Sequence, residues 1–96
     1  MKKLPPIKNL KRKPKTLQEL FRSPKRWIQG RYKDRKNYED STCFCLIGGI
    51  QLIYKNPNKI ENKVAMHLGV MSISYWNDKE YRTIEDIQNL VKELDI

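Results

Sequence analysis

The sequence predicts an all-α domain for the most part, a compact bundle of about four short helices carrying a basic N-terminal arm. Three observations point there. Helix-capping signatures stand at Thr16, Asn58 and Thr83; apolar residues recur at three- and four-residue spacing behind each; and Pro or Gly punctuates the chain between them.

The first fifteen residues hold three prolines and seven Lys/Arg, with Leu4, Ile7 and Leu10 as their only apolar side chains beyond Met1. Such a segment buries too little apolar surface to offset its ordering entropy, so residues 1–15 read as an arm, disordered or ordered by a partner. Residues 16–96 read as the small helical domain. Thr16-Leu17-Gln18-Glu19 is a capping box, followed by Leu17, Leu20 and Phe21 as an apolar stripe. Ser23-Pro24 suits an N-cap and first-turn pair for a second short turn bearing Trp27 and Ile28 and ending at Gly30. Residues 31–40 are polar and read as a loop.

From Cys43, the apolar positions Cys43, Leu46, Ile47, Ile50, Ile53 and Tyr54 make a helical face capped by Asp40, Ser41 or Thr42. A strand competes, because β-branched residues are frequent and each of Gly48 and Gly49 costs a helix about 1 kcal/mol. The periodicity favours helix, with the glycines admitting a close neighbour. Asn56-Pro57 breaks it. Asn58 to Glu61 forms a second capping box ahead of Ile60, Val64, Ala65 and Leu68, and Gly69 suits the position just past the helix end. Ile73, Tyr75 and Trp76 read as core anchors. Thr83 to Asp86 caps the last helix, whose Ile84, Ile87, Leu90, Val91 and Leu94 form the clearest stripe.

The net charge of +9 is unevenly spread. Residues 1–36 hold fourteen Lys/Arg against Glu19 and Asp34, whereas residues 37–96 hold six against nine Asp/Glu. This asymmetry argues for an anionic partner on the N-terminal side. The candidate contacts are Lys11, Arg12, Lys13, Lys15, Lys25, Arg26, Arg31, Lys33, Arg35 and Lys36 for phosphates, with Tyr32 as a platform for an exposed base. Trp27 reads as a core residue. The longest apolar run, Cys43 to Ile50, is far short of the roughly 20 residues that span a bilayer, and no signal-peptide core follows the basic start. A cytoplasmic location is expected, in keeping with two closely spaced cysteines.

Arg26-Trp27-x-Gln29-Gly30-x-Tyr32, Cys45-Leu46-x-Gly48, Trp76-Asn77-Asp78 and Arg82-Thr83 occur in that order. The pattern resembles an uncharacterised family of small bacterial and phage proteins, a domain of unknown function, over roughly Thr16 to Leu94. Gly49 departs from it, alanine being usual there. So does the Lys/Arg-rich loop after Tyr32. The resemblance implies a helical fold and a microbial or viral origin, and no chemistry.

Catalytic signals are sparse. On a helix Cys43 and Cys45 point about 200° apart and cannot chelate or bridge together, and His67 alone leaves zinc short of ligands. No metal or cofactor is expected. A Cys45–His67 pair with Asn77 or Asp78 is formally possible but sits in apolar surroundings that favour inert burial. Asn77 and Asp78 read as turn-shaping residues. A core this small favours a binding module. The leading expectation is a non-enzymatic protein docking on nucleic acid or a nucleoprotein complex. The alternative is a phage-type inhibitor or adaptor bound to an acidic host protein surface, with a cysteine-dependent enzyme as a minor third.

Overall fold

A computed structural model describes residues 4–96 and is mostly helical, as the capping signals predict. Among the described residues there are five α-helices: α1 (Leu17–Leu20), α2 (Leu46–Ile53), α3 (Pro57–Leu68), α4 (Ile73–Asn77) and α5 (Ile84–Glu93). Short 3-10 turns cover Ile7–Asn9 and Pro24–Arg26. α2 lies at the centre and packs against α1, α3 and α4, while α1 also meets α5. Leu17, Phe21, Phe44, Leu46, Ile50, Val64, Ile87 and Val91 form one fully buried core.

Each helix starts for a local reason. Thr16 Oγ1 accepts the Glu19 amide, but Glu19 reaches past Thr16 to the Lys15 amide, 2.6 Å away. At α5 the box is reciprocal: Thr83 Oγ1 accepts the Asp86 amide and Asp86 Oδ2 accepts the Thr83 amide. Gly69 closes α3 with φ +66, a left-handed turn suited to glycine. Two starts differ from expectation. α3 begins at Pro57, so Asn58 is inside the helix; proline has no amide to lose in a first turn. α2 begins at Leu46, with Cys45 as its cap. The residue before it, Phe44, is held extended by Trp27 on one side and Lys33 on the other. Backbone bonds from the Phe44 amide to Arg26 O and from the Ile28 amide to Phe44 O fix that pairing.

The arm also differs from expectation. Ile7 is 3 % exposed and belongs to the core. Its amide donates to Ser41 O, the Lys8 amide donates to Glu39 O, and Lys8 Nζ pairs with Asp40 at 2.6 Å. One isoleucine and three long-range polar links therefore anchor a segment whose composition alone resists ordering. The radius of gyration, 12.5 Å, is that of a packed chain of this length.

At the other end, Ile96 O accepts both the Leu17 amide and the Tyr54 hydroxyl, tying the last residue to the start of α1. Tyr75, expected in the core, is 67 % exposed. On α4 the buried positions are Ile73 and Asn77, one turn apart.

Candidate anion-binding surface

The motif residues converge on one side chain. Asn77 is fully buried, and its Oδ1 accepts from Trp27 Nε1 at 2.8 Å and from the Leu46 amide at 3.1 Å. Both neighbours can only donate, which fixes the orientation of the carboxamide. Its Nδ2 donates to Ile28 O and to Asp78 Oδ1. Asp78 Oδ1 accepts the Gly30 amide, and Gln29 Nε2 spans Asn77 O and Lys79 O. The Arg82 guanidinium lies 3.9 Å over the Trp76 ring and donates from Nε to Trp76 O. Gly48 lies against Tyr32, where a β-carbon would come within 1.9 Å of the carbonyl oxygen. Trp-Asn-Asp is thus framework, holding the 26–32 segment against the start of α2.

That framework governs where the cations go. Arg26 is 7 % exposed; its Nη1 donates to Pro5 O at 2.8 Å and Thr42 O at 2.9 Å. It is an internal clamp rather than a surface cation, and burial lowers its pKa. Arg12 and Lys13 come round from the arm to face it, and with Arg22 they line a depression of about 280 Å³. Leu10, Pro14 and Leu20 provide its apolar wall, and Glu19 is its single carboxylate. Lys11, Lys15 and Lys25 are exposed outside it.

The remaining candidates go elsewhere. Arg31 and Tyr32 border a smaller depression of about 220 Å³ with Gly30, Cys45, Ser74 and Asp78. Lys33 Nζ lies 4.4 Å over the Tyr38 ring. Arg35 and Lys36 are exposed on a loop built by two side chains, Asp34 and Ser41. Asp34 accepts from the Thr42 amide and hydroxyl and the Cys43 amide; Ser41 Oγ accepts the Arg35 amide and donates to Asn37 O. Burial alone would raise the Asp34 pKa, but these hydrogen bonds prevail and lower it.

The expected cations are therefore not one cluster: Arg12, Lys13 and Arg26 share a depression that Arg22 joins, and the others lie outside it. Sequence reading passed over Arg22 because it follows α1, and nothing local announces that the arm turns back towards it.

The cysteines have structural partners. Cys45 Sγ accepts the Gly48 amide as the cap of α2, and burial pushes its thiol pKa up. Both thiols are free, and both precede the helix, so the helical spacing expected for them does not apply. His67 Nε2 faces Glu93 at 3.0 Å on the surface. Among the described residues no helix is long and apolar enough to cross a membrane. Set against protein-family models, curated proteins and solved structures, the chain matches none.

Proposed function

We propose that the chain is a non-enzymatic binding protein that docks on nucleic acid or a nucleoprotein complex through its cationic N-terminal face. The observation that carries this reading is the folded arm. Burial of Ile7 sets Arg12 and Lys13 opposite Arg22 and Arg26, so four cations from separate segments share one depression with one carboxylate. A merely solubilising charge run needs no such anchor. Phosphate binding does benefit from it, since cations held in place lose less entropy on engagement. On this reading the chain works in the cytoplasm, where free thiols stay reduced.

The test is the salt dependence of binding to short DNA and RNA oligonucleotides. With three or four phosphates engaged, the logarithmic slope is about −2 to −4 between roughly 50 and 200 mM salt. A flat slope overturns the reading.

A second reading is a phage-type inhibitor or adaptor that sets the same cations against an acidic host protein surface. Met66, Met71, Tyr75 and Tyr81 are all largely exposed on and around α3 and α4, and Met and Tyr are favoured at protein interfaces. A complex with a host protein that survives nuclease treatment selects this reading over the first.

A further inference from the structure

The bonding of Arg26 leaves a specific edge of its guanidinium unspent. A guanidinium carries five N–H donors. The two carbonyl acceptors, Pro5 O and Thr42 O, both lie on Nη1. The described hydrogen bonds give Nε and Nη2 no protein acceptor, yet no side-chain nitrogen sealed from solvent lacks a partner. Those donors therefore reach solvent, and Arg26 lines the depression that Arg12, Lys13 and Arg22 surround. The Nε–Nη2 edge is the fork that grips two oxygens of a phosphate at once.

Charge leads to the same place. Among the described residues no carboxylate lies within 4.0 Å of Arg26. Asp34 acts on it from further off, with its oxygens engaged by Thr42 and Cys43. A buried charge without an ion partner is costly, and proteins keep such groups where something binds them. Glu19 competes only at the rim: its Oε2 takes the Lys15 amide, and its Oε1 stands 4.0 Å from Arg12 Nη2 and does not reach Arg26.

Resting on the phosphate-docking reading above, we propose that this depression is a site for a single phosphate group, with Arg26 as its floor and Arg12, Lys13 and Arg22 as its rim. Its volume, about 280 Å³, lies at the small end of ligand pockets. It admits one phosphate and part of the group it carries, resting on Leu10, Pro14 and Leu20. The phosphate can be the terminal monoester of a strand, an internal diester or a free nucleotide.

The experiment follows the arginine Nε–H resonances of the full chain by NMR. Titrants are inorganic phosphate, a nucleoside 5′-monophosphate, the bare nucleoside, and one oligonucleotide with and without a 5′-phosphate. Saturable shifts at Arg26 and Arg22 with phosphate and the nucleotide, and none with the nucleoside, are expected. Arg22→Gln and Arg12→Gln, at two exposed positions, each weaken nucleotide binding about tenfold and leave the circular dichroism unchanged. Preference for the 5′-phosphorylated strand identifies the terminal monoester; equal binding of both strands identifies the internal diester. In either case the Arg26 shift persists.

Equal shifts spread over Arg31, Arg35 and Arg26, or none at Arg26, overturn the site. Oligonucleotide binding with a steep salt slope but a silent Arg26 removes the site and spares the docking reading. Phosphate binding at Arg26 without oligonucleotide binding does the reverse.

Discussion

Asn77 Oδ1 stands 3.1 Å from the amide of Leu46, the first residue of α2, and so caps that helix from the far end of α4. The first amides of a helix have no partner inside it. Here the Leu46 amide is met by Asn77, the Gly48 amide by Cys45 Sγ and the Gly49 amide by Cys45 O. Truncating Asn77 orphans Trp27 Nε1 and the Leu46 amide together. Asn77→Ala is expected to lower unfolding free energy by about 3–4 kcal/mol in urea titrations. A loss below about 1 kcal/mol would mean that water replaces the carboxamide.

The paired glycines of α2 separate cleanly. Alanine normally improves a helix by about 1 kcal/mol over glycine. At Gly48 the new carbon meets the backbone of Tyr32 at 1.9 Å, and backbone does not yield cheaply. Gly48→Ala is expected to cost at least about 3 kcal/mol or to prevent folding. At Gly49 the neighbours are the tips of Leu17, Leu20 and Phe21 at 3.0 Å. These can move by small rotations, so Gly49→Ala stays within about 1 kcal/mol of the parent. Parallel thermal melts of the two variants decide it.

Ile7 makes the arm part of the fold. Ile7→Ala is expected to destabilise the protein by about 2–3 kcal/mol, since a buried aliphatic side chain is lost from the core. Removing the whole arm would confuse folding with binding. Charge substitutions at Arg12 and Lys13, both exposed, are the sound way to test its cations.

Asp34 supplies a pH dependence. Its folded pKa lies below the ordinary 3.8, so its ionised form contributes stability above that value and loses it as pH falls through the folded one. Asp34→Asn is expected to flatten the fall in stability below about pH 4 and to lower stability at pH 7 by about 1–2 kcal/mol. Urea midpoints from acid to neutral pH measure both.

What the sequence made legible was local. α5 is stated in full by Thr83, Asp86 and its apolar stripe, because every determinant lies between Thr83 and Leu94. The end of α3 at Gly69 is equally local. The start of α2 was obscured because distant residues, Trp27 and Lys33, draw Phe44 into an extended pairing that helical periodicity cannot register. The start of α3 was displaced by a chance resemblance of Asn58 and Glu61 to a capping box. Tyr75 was assigned to the core by its size, yet α4 turns Ile73 and the polar Asn77 inward. For the binding face, composition located the charge but not its grouping. Arg26 looks like its neighbours in the sequence and differs from them only through Pro5 and Thr42, which the fold brings to it.

The clamp at Ile96 bears on how quickly such a chain reaches its native state. Short helices form within microseconds, and helical proteins fold fast when their contacts are near neighbours in sequence. Here the Leu17 amide and the Tyr54 hydroxyl meet on Ile96 O, at the opposite end of the chain. Ile7 waits on Ser41, and Trp27 on Asn77. The slow step therefore belongs to the search by which distant segments find each other. The chain is expected to fold more slowly than a helical bundle closed by near-neighbour contacts alone.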